Sequence, residues 1–233
     1  MGYFSFEPIS VEDGNKVLEI DILPEKYCNF DCVFCPLGRT INKLERQQLF
    51  AEIDHSLSRL VNIIKDNQVD LVYINSKGEA LLNSSISYII DFIKSKGVLV
   101  RLLSNGYLLG RDTYKEIANH CDEVVGELTV ITENDFQKIL RPLDSYTLTE
   151  YLSNMTSFNK QYSGVFTLAI TILKGYNDDE QSIQQIKNLI DQIAPDKLVV
   201  TRIEDPRLKR LIVDEQRFNQ ISTALMERNI LNA

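Results

Sequence analysis

The chain has 233 residues, of which 44% are apolar, and its formal net charge is −8. This length suits one large domain or two small ones with a substantial core, and the acidic balance disfavours a broad nucleic-acid-binding face. No apolar run approaches the roughly 18 residues that span a bilayer, and the first residues lack the basic and then apolar pattern of a secretory signal. We therefore expect a cytoplasmic protein, in which clustered cysteines indicate a metal or redox site rather than disulfides.

Short apolar runs rich in β-branched residues alternate with stretches that carry apolar residues at helical spacing. The predicted strands are residues 17–23, 69–76, 98–104, 123–131, 165–173 and 197–203. The predicted helices are residues 49–66, 84–97, 111–120, 147–161, 179–194 and 214–229. The pattern indicates six strand-then-helix units along the chain.

Strands that alternate with helices form parallel sheets. The strand runs are apolar at successive positions, which predicts strands that are buried on both faces. On periodicity alone, an open doubly wound sheet and a partial barrel both fit these units. No linker, low-complexity stretch or charged tail divides the chain, so we predict a single domain over residues 1–233, with a core at about 17–205 and a closing helix at 214–229.

The first predicted strand is followed by "CNFDCVFC", which places Cys28, Cys32 and Cys35 in a C-x3-C-x2-C pattern. Ligands gather at the carboxyl ends of parallel strands, so these cysteines lie where a binding site is expected. Thiolates prefer soft metals, and zinc or an iron–sulfur cluster are the main candidates. The motif therefore predicts a metal site directly after the first strand.

Three thiolates leave one position open, and a structural zinc site needs a fourth protein ligand. His55 falls inside the first predicted helix, while His120 and Cys121 follow the third helix and so belong at the opposite end of the sheet. We therefore predict an open coordination position at the cysteine motif. We interpret Cys121 as a buried small apolar residue.

A C-x3-C-x2-C motif after the first strand of a six-unit α/β chain resembles the radical S-adenosylmethionine (radical SAM) superfamily. The resemblance implies a partial (β/α)6 TIM-like barrel with parallel strands, and a [4Fe-4S] cluster held by Cys28, Cys32 and Cys35. It also implies that the open iron binds S-adenosylmethionine and that Phe34 lies beside the adenine. The alternative for the cysteines is a zinc knuckle or thiols without a ligand.

Residues in three further segments, after the second and third predicted strands and on the fourth, fit the same superfamily. "SKGEALLN" retains Gly78 and Glu79 of the Gly-Gly-Glu-Pro-like turn that binds the methionine amino group, although a Gly-Glu pair is common in any turn. "SNG" places Ser104 and Asn105 in a turn that lies near the cofactor in many members, or in a plain β-turn whose glycine has positive φ. Glu127 on the fourth strand is placed to meet the ribose hydroxyls, or is a solvated or salt-bridged carboxylate.

Three segments are also similar to uncharacterised proteins related to 4-demethylwyosine synthase: "CNFDCVFCPLGRTINKLERQQ", "LRPLD" (140–144) and "LKGYNDDEQSI" (173–183). The resemblance implies an enzyme in which the cluster cleaves S-adenosylmethionine to a 5′-deoxyadenosyl radical. That radical abstracts hydrogen from an unidentified small molecule or an RNA nucleoside, and the acidic charge favours the small molecule slightly over tRNA. Flavodoxin or ferredoxin is the implied electron donor.

Two other functions remain open on the sequence. An activase that installs a glycyl radical on a partner enzyme shares the compact size and the early cysteine motif, but such activases usually carry a fuller Gly-Gly-Glu-Pro turn. A metal-binding protein without enzyme activity is the second alternative. Cleavage of S-adenosylmethionine by the reconstituted protein separates an enzyme from that second alternative.

Overall fold

Six parallel strands lie side by side in the order in which they occur along the chain. The computed structural model describes residues 2–51 and 53–227. The strands are β1 (Asn15–Asp21), β2 (Leu71–Ile74), β3 (Leu99–Ser104), β4 (Glu123–Leu128), β5 (Val165–Ile172) and β6 (Lys197–Arg202). The helices that follow them are α1 (Ile53–Asn67), α2 (Ile86–Lys94), α3 (Asp112–Asn119), α4 (Leu148–Asn159), α5 (Glu180–Ile193) and α6 (Glu215–Met226). All the predicted strands and helices are confirmed, with shifted ends.

The strand order decides between the two architectures that periodicity leaves open. Every pair of neighbours, from β1 and β2 to β5 and β6, is parallel. A doubly wound sheet reverses its order at a switch point, whereas this sheet adds each strand on the same side of the last. Because crossovers between parallel strands are right-handed, all the helices then lie on one face. The predicted partial (β/α)6 TIM-like barrel is confirmed.

The two faces of the sheet differ in burial. In β3, Val100, Leu102 and Ser104 are buried, while Arg101 and Leu103 between them are only partly buried. The same alternation runs through β4. The expectation that the strands are buried on both faces is therefore wrong for one face. Six strands do not close a barrel, so the inner side chains line an open groove instead of filling a core.

Two short N-terminal strands, which the sequence analysis missed, pair with the free edge of β1. Ser5–Phe6 and Ser10–Glu12 are both antiparallel to β1, and Ser10–Glu12 and β1 are the two arms of a hairpin. At its tip, Asp13 and Gly14 have φ values of 48° and 85°, and these two residue types tolerate the left-handed region. An Asp-Gly pair between two extended runs was the available signal for this turn.

Capping side chains explain where several helices begin. Thr147, Asp179 and Asp214 each accept a hydrogen bond from the backbone N–H three residues later, at the starts of α4, α5 and α6. α1 begins at Ile53 rather than at residue 49, and residues 228 and 229 of the last predicted helix lie outside the described residues. A short helical segment over residues 133–140 was not predicted. Within residues 2–51 and 53–227, no helix has the length and apolar character of a membrane span.

Candidate functional site

All three cysteines of the predicted motif face one cavity beyond the carboxyl end of β1. Cys28, Cys32 and Cys35 are free and partly exposed, and they line a cavity of about 310 Å³. Four of the predicted cofactor residues line the same cavity, namely Phe34, Gly78, Asn105 and Glu127. The other two, Glu79 and Ser104, are buried. Tertiary folding therefore gathers residues from four successive strand ends around the cysteines.

Asp31 holds the cysteine loop in place, a role that the sequence analysis missed. Its side chain is buried and accepts hydrogen bonds from Arg39 Nε at 2.7 Å and from the Thr40 backbone N–H at 2.7 Å. The Asp31 backbone N–H donates to the Leu140 carbonyl oxygen at 3.0 Å. Charge-assisted hydrogen bonds of this kind are short and directional. The Gly-Arg-Thr segment after the third cysteine thus supplies the donors that hold Asp31.

Phe30, between the first two cysteines, anchors the same loop on an aromatic cluster. Its ring centroid lies 5.8 Å from Phe136, 5.9 Å from Tyr151, 6.1 Å from Tyr107 and 6.5 Å from Tyr146, all in edge-to-face geometry. Such pairs contribute about 0.5–1.5 kcal/mol each beyond the burial of their area. The cluster comes from the turn after β3, the segment 133–146 and α4. The cysteine loop therefore packs on aromatic side chains from the segments that follow β3 and β4 and from α4.

The turn after β2 packs directly against the backbone of the cysteine loop. The Glu79 N–H donates to the Tyr27 carbonyl oxygen at 2.8 Å. A Cβ at position 78 would lie only 1.9 Å from that oxygen, so no side chain fits there. Gly78 is required by this close approach of two backbones beside Cys28.

Glu79 joins the turn after β2 to the turn after β3. Its carboxylate accepts hydrogen bonds from the Leu81 N–H at 3.2 Å, the Ser104 hydroxyl at 3.1 Å and the Asn105 N–H at 2.9 Å. The side chain is 1% exposed, and burial raises its pKa to about 7 against the effect of those hydrogen bonds. The predicted role of Glu79 towards a methionine amino group stays a prediction, and the structure adds this bracing role to it.

The turn after β3 reaches the cysteine loop through Asn105. Its Nδ2 donates to Asn29 Oδ1 at 2.6 Å and lies 3.7 Å from Cys28 Sγ. Gly106 has a φ of 91°, so the predicted turn with a glycine at positive φ is confirmed. Asn29 is fully buried, and no local sequence signal marked it. The turns after β2 and β3 thus both contact the loop after β1.

Burial raises the pKa of Cys28 and Cys32. It raises the pKa of the Cys28 thiol to about 12, with the neighbouring Glu79 acting in the same direction. The pKa of Cys32 is raised well above its ordinary value, first by burial and then by Cys28. Lys26 opposes the shift of the pKa at both sulfurs. Free thiols at these two positions stay protonated at neutral pH, whereas a coordinated thiol is deprotonated outright.

Glu127 faces the cavity from β4 without a polar partner. Among the described residues, none donates a hydrogen bond to its carboxylate, and burial alone raises its pKa to about 7. The side chain also borders a second cavity, of about 380 Å³, along the inner face of the barrel. Glu127 therefore lies where the two cavities meet, with its carboxyl available to a ligand.

The raised pKa of Glu127 predicts a pH-dependent effect of Glu127→Gln on stability. In the unfolded chain this carboxyl ionises near 4.5, so between pH 4.5 and 7 the folded state keeps a proton that the unfolded state has lost. Glu127 therefore costs stability increasingly as pH rises through that window. In the protein without iron, we expect Glu127→Gln to match the native chain at pH 4.5 and to exceed it at pH 8 by on the order of 2 kcal/mol in urea unfolding. Glu116→Gln on α3 is the exposed control, and an equal gain at both pH values contradicts the assignment.

Three soft sulfur donors on one cavity wall fit an iron–sulfur cluster, whose irons prefer thiolates. Gly78, which allows the turn after β2 to approach the cysteine loop, lines the same cavity. Within the part of the chain that the structure describes, no group of three or more His, Cys, Asp or Glu side chains has the spacing needed to hold a single metal ion. The nature of the metal group is therefore inferred from the cysteine pattern and the shared cavity.

Known proteins are similar in sequence to most of the chain. A model of the radical SAM superfamily matches residues 22–186. A UPF0026 protein of Methanocaldococcus jannaschii is 25% identical over 209 residues, which cover 88% of this chain and 65% of that protein. A UPF0026 protein of Helicobacter pylori is 26% identical over 206 residues, with coverage of 86% and 66%. The chain thus spans just under two thirds of the length of these relatives.

Solved structures with the same fold confirm the architecture. "Structure of TYW1 with a lysine-pyruvate adduct bound" superposes with a TM-score of 0.69 at 15% identity, covering 92% of this chain and 75% of that one. A radical SAM methyltransferase from Sphaerobacter thermophilus superposes with a TM-score of 0.69 at 11% identity, covering 94% and 66%. At such identities the likeness shows the fold alone.

Proposed function

This chain belongs to the radical SAM superfamily, and from that premise we propose that it is a radical SAM enzyme. In this proposal Cys28, Cys32 and Cys35 would hold a [4Fe-4S] cluster, and S-adenosylmethionine would bind at the open coordination position of that cluster. The observation that carries the proposal is the convergence of the three cysteines, Gly78 and Asn105 on one cavity. We further propose that the six strand-helix units form a single domain.

When bound, the cluster and S-adenosylmethionine supply a 5′-deoxyadenosyl radical through one-electron reductive cleavage, and this radical abstracts hydrogen from the substrate. The chain's own residues position the reactants and exclude quenchers. Gly78 lets the turn after β2 pack against the cysteine loop, and Glu79 joins that turn to the turn after β3. Glu127 would accept hydrogen bonds from the ribose hydroxyls, and Phe34 would pack beside the adenine; both side chains line the cavity.

The cavity along the inner face is proposed as the substrate site. It shares Leu103 and Glu127 with the cysteine cavity, so a ligand there lies next to the cofactor. Arg101 in its wall is ion-paired with Glu12 at 2.7 Å and also with Glu123. Because these carboxylates take up its charge, Arg101 is not free to bind a phosphate. Lys197 also lines this cavity, so the slight preference for a small molecule over tRNA rests on the net charge of −8.

The rim of the site supports the same preference for a small molecule over tRNA. Lys43 donates to the Pro142 carbonyl oxygen at 2.8 Å, and Arg141 lies 3.8 Å from the buried Asp31 carboxylate. Both cations are therefore engaged within the protein, whereas RNA affinity depends on cations that meet phosphates. A flavodoxin or ferredoxin is the proposed electron donor.

Release of 5′-deoxyadenosine tests the proposed function. Protein reconstituted anaerobically with iron and sulfide, reduced with dithionite and given S-adenosylmethionine should release 5′-deoxyadenosine, measured by chromatography and mass spectrometry. The Cys35→Ala protein should release none, because it lacks one of the three cluster ligands. A native protein that holds a normal cluster but releases no 5′-deoxyadenosine would leave only the metal-binding alternative.

A further inference from the structure

Lys26 links the two ends of the cysteine loop, and neither the sequence motif nor the proposed function assigns it a role. Its Nζ donates to Cys35 Sγ at 3.1 Å and also to the Gly38 carbonyl oxygen. Lys26 precedes the first cysteine by two residues, and Gly38 follows the last by three. One ammonium group therefore spans the loop and touches one of its sulfurs.

The charges around the cysteines make this contact unusual. Glu79 and Glu127 both act to raise cysteine pKa values, and Lys26 is a cation that acts in the opposite direction at Cys28 and Cys32. Lys77 also lines the cavity, but its Nζ is paired with Asp21 at 3.0 Å. Among the described residues, no carboxylate forms an ion pair with Lys26. Its positive charge is thus directed to the sulfur.

We propose that Lys26 is a positioning residue that sets the reduction potential of the cluster through its hydrogen bond to Cys35. The inference rests on the proposed function. Reduction would add one electron to a cluster that is bound by three negatively charged thiolates. A cation that donates a hydrogen bond to one of these sulfurs would stabilise the added negative charge. Hydrogen bonds to the sulfurs and local charge are among the main determinants of the potential of such clusters. Lys26 therefore makes electron entry from the external donor more favourable.

A redox titration of three reconstituted variants tests this role, without S-adenosylmethionine and with the reduced cluster followed by electron paramagnetic resonance. Lys26→Gln can still donate to the Gly38 carbonyl but has no charge, so its midpoint potential should fall below that of the native protein. Lys26→Arg keeps the charge and should stay near the native value. Lys43→Gln removes the same charge from a side chain whose ammonium donates to the Pro142 carbonyl oxygen rather than to a sulfur, and it should also stay near the native value.

An unchanged midpoint potential in Lys26→Gln, at equal iron content, overturns the proposal and leaves the proposed function intact. An equal fall of the midpoint potential in Lys43→Gln also overturns it, because the loss of one positive charge anywhere in the loop would then explain the effect. A native protein that binds no cluster fails the proposed function itself, and this inference with it. The two failures are therefore distinguished by the iron content of the native protein.

A second variant without the charge, Lys26→Met, decides the case in which Lys26→Gln cannot hold a cluster. Lys26→Met has neither the charge nor the donor, so its midpoint potential should also fall below that of the native protein. A native midpoint potential in Lys26→Met, at equal iron content, overturns the proposal. Loss of the cluster in both variants also overturns it, because Lys26 is then required to hold the cluster rather than to set its potential.

Discussion

We expect Cys32→Ala protein, reconstituted anaerobically with iron and sulfide, to hold no [4Fe-4S] cluster, whereas the native chain should hold about four irons and four sulfides. Cys32 is the middle ligand of the motif and shares its cavity with the other two cysteines. Two remaining thiolates leave a second iron open to solvent, so the cluster is lost rather than weakened. Iron and sulfide analysis and the visible absorbance of the cluster measure the outcome.

Cys121→Ala is the matched control for this loss. Cys121 is 4% exposed and belongs to the apolar core, so the prediction that it is a buried apolar residue is confirmed. Its removal deletes one small side chain from the core and should leave iron and sulfide content at the native level. Retention of a normal cluster by Cys32→Ala, or its loss in a folded Cys121→Ala protein, contradicts the assignment of the ligands.

Replacement of Glu79 by alanine should have the second largest effect, on stability and on cofactor binding together. The change leaves the Leu81 and Asn105 N–H groups and the Ser104 hydroxyl without their acceptor in the interior. Each unpaired buried group costs about 1–3 kcal/mol. At pH 8 part of this loss is offset, because the raised pKa of Glu79 makes its ionised form costly to bury, so we expect urea unfolding at pH 8 to show a loss on the order of 1–3 kcal/mol. Affinity for S-adenosylmethionine should fall about tenfold to a hundredfold, because a charged acceptor near the amino group is lost.

Glu79→Gln and Glu116→Ala separate the two roles of this carboxylate. Glutamine keeps the shape and one acceptor oxygen, so it should recover part of the stability but little of the affinity for a cationic amino group. Glu116 is exposed on α3, and its replacement should change neither property. If Glu79→Ala is less stable but its folded form binds S-adenosylmethionine with native affinity, Glu79 only joins the two turns and does not bind the cofactor. If both stability and affinity are native in Glu79→Ala, the Gly-Glu pair is an ordinary turn with neither role.

Local features of the chain were sufficient to predict the elements and the metal-binding motif. The six strand-helix units follow from short runs of successive apolar residues that alternate with stretches of apolar residues at helical spacing, and both patterns can be recognised within a window of about a dozen residues. Cys28, Cys32 and Cys35 are close in sequence and follow directly after β1, so their common cavity was predictable. The Ser-Asn-Gly turn was predictable for the same reason, since positive φ at Gly106 is a property of a single residue.

The roles of several site residues depend on contacts between distant segments, and no local pattern predicts these. Glu79 meets Ser104 and Asn105 across 25 and 26 residues of chain, and only the parallel pairing of β2 with β3 brings their turns together. The contact of Lys26 with Cys35 requires the loop to fold back on itself. In the same way, Asp31 acquires its function only when Arg39 and Thr40 return to it.

The sequence by itself determined the succession of six strand-helix units, the cysteine motif at the carboxyl end of the first strand and the membership of a superfamily that those features imply. Only the tertiary structure decided that the strands add in one direction to form an open barrel, that one face of the sheet lines a groove, and that Glu127 lies where two cavities meet. The physical reason is the separation along the chain of the residues that interact. Backbone period, turn geometry and capping act over a few residues, whereas strand order, burial and the pKa of a buried carboxyl depend on side chains that are close in space and distant in the chain.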